Sequence, residues 1–249
     1  MPNRQQILAQ RGDLSPFIIH LTRNGLFQSD PTQTSTSTLN AKKSLELILQ
    51  QSKIKAKSAL GYFNYKVAWK GRNPNSQVQR HWLYSCCFTE TPLKDISIQF
   101  QTIQGRRCHF QPYGLAFFEN TVRARGGNPV LYVETRNQSM KLAYDQMALA
   151  PNCIYFKGIM PFVEGFGAPW FGYIPPEIDF RWEREWRCAS DFDFLYQEVA
   201  FGICPTSEIA YFEGLTHNQI PFVDVSNSAA LAAAKRRLGG MAKFSGLRL

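Results

Sequence analysis

Residues 180–188 read FRWEREWRC, and their alternation frames the rest of the chain. In an extended strand Phe180, Trp182, Trp186 and Cys188 point one way, with Arg184 as the exception. Arg181, Glu183, Glu185 and Arg187 point the other way. A strand with one apolar and one charged face belongs at the boundary of a core. Working outward, similar signals occur at FIIHLT (17–22), HWLYSCCF (81–88), YGLAFF (113–118), VLYVE (130–134), EVAFGIC (198–204) and IPFVDV (220–225).

Helical stretches interrupt these strands. One runs from Ala41 to about Gln51, with Asn40 as N-cap and Leu45, Ile48 and Leu49 on one face. A second short element lies around Ile54–Leu60 and ends at Gly61, before a polar loop at 70–80. A helical stretch begins in TETPLKDI. ENTVRARGGNP gives a short helix and a Gly-Gly turn, residues 137–150 read as helix, and PTSEIAYFEGL as a short helix capped at Thr206 or Ser207. Residues 227–238 form a helix ended by Gly239 and Gly240. Strands and helices mix without regular βαβ alternation, so the expected class is α+β, in one domain over 1–249. Two long loops are expected. Residues 23–40 are rich in Ser, Thr, Asn and Gly, and residues 151–179 are dense in Gly, Pro and aromatics.

Composition narrows the function classes. At 44% hydrophobic and 19% charged over 249 residues, the chain has ample material for a core, which excludes a disordered or fibrous protein. It has no apolar run of 18 residues and no apolar segment near its start, so neither a membrane span nor a signal peptide is expected, and the expected location is the cytoplasm. Six scattered cysteines, Cys86, Cys87, Cys108, Cys153, Cys188 and Cys204, form no C-x-x-C pair and read as reduced, buried thiols. Cys108 and His109 lack properly spaced partners, so no metal site is expected. The net charge of +9 points weakly toward a polyanion such as nucleic acid.

Four segments stand out together: HLT at 20–22, CCFTETPL at 86–93, YGLAFFENTVRARGGNPVLYV at 113–133 and WEREWR at 182–187. A His-x-Thr on an early strand, an aromatic-Thr on a middle strand and a Glu on a late strand, in that order, resemble the ADP-ribosyltransferase fold. Within it the set is similar to the branch of the DarT toxins, and closest to the AbiGi-type abortive phage resistance proteins. The resemblance spans residues 17 to about 212. It implies a split mixed sheet with flanking helices, and an activity that transfers ADP-ribose from NAD. It implies that His20 and Thr22 hold NAD, that Phe88 and Thr89 line the nicotinamide pocket, and that Glu185 is the catalytic carboxylate. The basic neighbours Arg181 and Arg187 suit phosphate binding through forked hydrogen bonds. Glu183 is placed to position the acceptor. DarT toxins carry an Arg after the first loop; here Lys53, Lys55 and Lys57 match it only in composition.

The resemblance further implies a toxin or antiviral effector that modifies an unpaired base in single-stranded nucleic acid, with a cognate antitoxin as a candidate partner. In transferases of this fold the loop before the catalytic Glu selects the acceptor, which here directs attention to Trp170 and Tyr173 as a stacking platform. Blander readings stand beside each residue. Alternating Arg and Glu also make a cross-paired, solvated strand face. His20 also reads as a core histidine, Trp182 and Trp186 as core, and the loop aromatics as packing. Lys235, Arg236 and Arg237 also read as a solvated helix end, favoured there by the helix dipole. The rival function is a non-catalytic binding or antitoxin module on the same fold.

Overall fold

A computed structural model of the protein describes residues 13, 15–24, 40–56, 84–102, 109–134, 136–149, 158–167, 179 and 181–247. In chain order its strands are β1 (Phe17–Arg23), β2 (Lys53–Ile54), β3 (Cys86–Thr89), β4 (Phe110–Phe118), β5 (Asn128–Pro129) and β6 (Leu131–Glu134). They continue with β7 (Val163–Phe166), β8 (Glu185–Cys188), β9 (Phe192–Asp193), β10 (Val199–Ile203) and β11 (Phe222–Val223). Parallel and antiparallel pairs coexist with several helices, which agrees with the broad α+β expectation. Among the described residues no helix is long and apolar enough to cross a membrane.

The contacts of the chain fall into two compact units, each assembled from separated segments. The first draws on Met1–Lys53, Thr89–Thr121 and Asp193–Leu249, the second on Ile54–Phe88 and Val122–Phe192.

In the first unit β4 lies between β1 and β10, antiparallel to both, and β10 runs parallel to β11. Phe17 pairs with Phe118 and His20 with Leu115, while Ile19 also faces Thr89. Both faces of β1 are covered, which is why it reads as a nearly unbroken apolar run. Phe17, Ile19 and Leu21 enter a cluster with Ala116, Phe201, Ile203 and Leu238, while Ile18 is buried on the opposite face. Burying one such side chain contributes about 1.5–3 kcal/mol. Gly114 is required by this packing, because a Cβ there would collide with the His20 carbonyl oxygen.

The helix Ala41–Gln51 forms as its sequence predicts. Asn40 Oδ1 accepts from the Lys43 N–H at 2.8 Å, Leu45 and Leu49 are buried, and Ser52 ends the helix in the left-handed region at φ 46°. The helix Ser228–Gly239 is likewise capped by Asn227 and buries Ala234 and Leu238. The helical stretch expected to begin in TETPLKDI is the 3-10 helix Leu93–Phe100.

In the second unit β8 antiparallel to β5 pairs Arg187 with Asn128 and Trp186 with Pro129. A separate parallel pair, β6 with β7, sets Tyr132 opposite Glu164. The Gly-Gly turn is present: Gly126 takes φ 77°, and the Gly127 N–H donates to the Val122 carbonyl at 2.9 Å. The single strand expected over 180–188 is corrected. Arg181–Glu183 is a 3-10 turn, Arg184 adopts φ 48°, and extended backbone begins only at Glu185. A left-handed residue breaks the alternation, so Trp182, expected in the core, is 37% exposed, whereas Trp186 is 2% exposed. Of the loop expected over 151–179, residues 163–166 are strand β7. The short element expected at 54–60 begins as β2; residues 57–60 and the loop at 70–80 lie outside the described residues.

Candidate functional site

The second unit contains a buried guanidinium shared by two carboxylates. Residues two apart on a strand share a face, so β8 sets Glu185 and Arg187 side by side. Arg187 Nε donates to Glu185 Oε1 at 2.8 Å and Nη2 to Oε2 at 2.7 Å, a forked, charge-assisted pair. Nη2 also donates to Glu164 Oε2 at 2.6 Å, and Nη1 to the Pro161 carbonyl at 3.0 Å. The Arg187 side chain is 2% exposed, while those of Glu164 and Glu185 are 22% and 16% exposed. The cation is thus sealed and the carboxylates reach the surface.

Tyr132, on β6, holds the start of β8: its hydroxyl oxygen accepts the Glu185 N–H at 3.2 Å. Burial pushes the Tyr132 phenol up. Burial also raises the Glu164 carboxyl, against the pull of Arg187. Arg187 is held well above the ordinary guanidinium value: burial works against the charge, and Glu185 and then Glu164 outweigh it. The cluster thus sets two carboxyl groups against one guanidinium.

This geometry corrects one expectation. The sequence suits Arg187, with Arg181, to holding phosphate through forked hydrogen bonds. In the structure Arg187 is buried, and its nitrogens are occupied by Glu185, Glu164 and the Pro161 carbonyl. Alternation alone cannot separate a charge facing water from one facing another charge.

Arg181 lies in a cleft of about 570 Å³ in the same unit, lined by Glu134, Arg136, Phe166, Gly167 and Asp179. Its Nη2 donates to Asp179 Oδ2 at 2.6 Å, and its guanidinium sits 4.0 Å from the Phe166 ring centroid. That hydrogen bond raises Arg181 and lowers Asp179. Glu183, half-buried, ends the 3-10 turn. Phe88 is buried edge-to-face against Phe192, with ring centroids 5.1 Å apart.

The first unit holds the other expected residues. His20 is half-buried on β1. Thr22 is buried; its hydroxyl donates to the Ala41 carbonyl at 2.8 Å and lies 3.2 Å from that of Tyr113. The Thr89 hydroxyl is 2.6 Å from that of Thr91, which accepts from Gln99 Nε2 at 2.9 Å. Of the basic run near the C-terminus, Arg237 is committed to Glu213 and to the Phe222 carbonyl. Trp170 and Tyr173 lie outside the described residues.

Among the described residues Cys86, Cys188 and Cys204 are buried and Cys87 is half-buried, while Cys108 and Cys153 lie outside the described residues. Desolvation pushes Cys188 and Cys204 up to about 12, and Cys86 further up. Sequence reasoning missed Glu164, because VEG at 163–165 sits in a stretch read as loop, and no local periodicity shows a parallel pairing with β6.

Compared with protein-family models, with curated proteins and with solved structures, the chain matches none.

Proposed function

We propose that the protein is an NAD-dependent mono-ADP-ribosyltransferase with an ADP-ribosyltransferase-like split sheet. On this reading it acts as a toxin or antiviral effector on an unpaired base of single-stranded nucleic acid. The observation that carries the reading is the Glu185 carboxylate. It opens strand β8, is gripped at both oxygens by a buried guanidinium, and still reaches the surface. Such a group is preorganised. Breaking the bond between nicotinamide and ribose gives a transition state with oxocarbenium character, and a fixed negative charge beside the ribose stabilises it. Arg184, at φ 48° immediately before Glu185, adds the local backbone strain that recurs at functional sites. NAD is the substrate, with His20, Thr22, Phe88, Thr89 and Arg181 assigned to it and Glu183, Trp170 and Tyr173 to the acceptor. The net charge of +9 supports a polyanionic acceptor.

The test incubates the full chain with labelled NAD and a pool of single-stranded DNA and RNA, and measures label in acid-insoluble material. Glu185→Gln keeps the shape and removes the charge, and its expected loss is at least about a hundredfold. Equal labelling by this variant and the parent overturns the reading.

A second reading is favoured by two observations. The Thr22 hydroxyl is turned to main-chain carbonyls and Arg181 is engaged by Asp179. Under it the fold is a non-catalytic binding or antitoxin module. NAD or nucleic acid bound without turnover in the same assay supports that alternative.

A further inference from the structure

Arg187 Nη2 donates to two carboxylates at once: Glu185 Oε2 at 2.7 Å and Glu164 Oε2 at 2.6 Å. Their oxygens are therefore neighbours although they come from different strands. The parallel pairing of β6 and β7 fixes this, because Glu164 is opposite Tyr132, and Tyr132 holds the Glu185 N–H. The two carboxylates are not equivalent. Glu185 receives two bonds from the guanidinium, Glu164 only one, together with its neighbour's Gly165 N–H at 3.2 Å. Both side chains are partly exposed and so accessible to a second reactant.

Reactions that break and re-form a bond at an anomeric carbon commonly divide labour between two carboxylates in different environments. We infer that Glu164 is the general base that takes the acceptor's proton in the transfer proposed for Glu185; the inference rests on that reading. The bond between ribose C1′ and the nicotinamide nitrogen breaks, and its electron pair leaves with nicotinamide, which becomes neutral. A lone pair of an acceptor N–H or O–H group forms the new bond to C1′. The acceptor's proton passes to the Glu164 carboxylate and then to solvent. Glu185 stays charged beside the ribose throughout and receives no proton. Burial, which raises the proton affinity of Glu164 and is opposed by Arg187, suits it to this task.

The experiment follows two products from labelled NAD and the single-stranded DNA and RNA pool: free nicotinamide and acid-insoluble label. Glu164→Gln preserves an oxygen for Arg187, so its melting temperature serves as the check on folding. Transfer is expected to fall about a hundredfold, within the usual range for losing a general base. Nicotinamide release is expected to fall roughly tenfold less than transfer, because abundant water captures the oxocarbenium with little help from a base. Glu164→Asp, which retains a carboxylate, is expected to move the ratio back toward the parent. If both products fall by one common factor, or if Glu183→Gln shifts the ratio and Glu164→Gln does not, Glu164 is not the base. If the parent yields neither product, the transferase reading fails and takes this inference with it. A parent that transfers label, with an inert Glu185→Gln and a fully active Glu164→Gln, overturns only the role of Glu164.

Discussion

Arg187 grips Glu185 from two residues further along the same strand, Nε on one carboxylate oxygen and Nη2 on the other. Neighbours on one face of a strand usually point out together toward solvent. Here the guanidinium is held inward, where Glu164 and the Pro161 carbonyl receive two further donors. The pair is thus a structural clamp as much as an electrostatic one.

Removing the cation should therefore be costly. Arg187→Met leaves Glu164 and Glu185 crowded with no counter-charge, and the expected loss of stability is about 3–5 kcal/mol. Arg187→Lys should recover only part of it, since an ammonium lacks the fork. Urea denaturation of the two variants checks the order; equal stability of Arg187→Met and the parent contradicts the clamp.

Thr22 gives a smaller and more local expectation. Thr22→Val keeps the branched shape and deletes the hydroxyl that donates to Ala41. The expected cost is about 1 kcal/mol, the net worth of an ordinary hydrogen bond. Thr22→Ser should retain most of the bond. Titrating both variants with NAD in a calorimeter shows whether the same hydroxyl also serves the ligand.

Glu46 predicts a pH dependence. It is buried, accepts from Lys43 Nζ at 2.8 Å and from the Tyr211 hydroxyl at 3.0 Å, and the Lys43 bond is the main cause that lowers its carboxyl below the ordinary value of 4.5. A carboxyl depressed in the folded state binds protons more readily when unfolded. Its stabilisation is complete above the unfolded value and disappears as pH falls through the folded one. Glu46→Gln should lower stability at neutral pH and flatten the acid side of the stability profile. A profile parallel to the parent's is the contrary result.

How much of this was legible in the sequence depends on where each partner lies. The helix Ala41–Gln51 carried its own signals in the Asn40 cap and the spacing of Leu45 and Leu49, so local reading sufficed. Strand β1 was legible because it is covered on both faces and hence apolar throughout. Residues 181–184 were not legible, since nothing about an Arg announces a left-handed conformation. The burial of Arg187 was hidden for a different reason. Its second carboxylate arrives from 23 residues away, on a strand whose pairing leaves no trace in local periodicity. Glu185 itself stood out through its place in an ordered series of motifs, but its grip by Arg187 emerged only from the fold.

The order in which the chain leaves the ribosome bears on the first unit. Its strand β4 is flanked by β1, already synthesised, and by β10, at Val199–Ile203. Until those later residues emerge, one edge of β4 presents unpaired backbone groups beside the exposed apolar ring of Phe117, a template for pairing with another nascent chain. The segments of the second unit are complete by Phe192. During translation, then, the last segment of the second unit is made before the strand that covers the edge of β4, and a slower emergence of residues 199–203 would lengthen the interval in which the nascent protein is prone to aggregate.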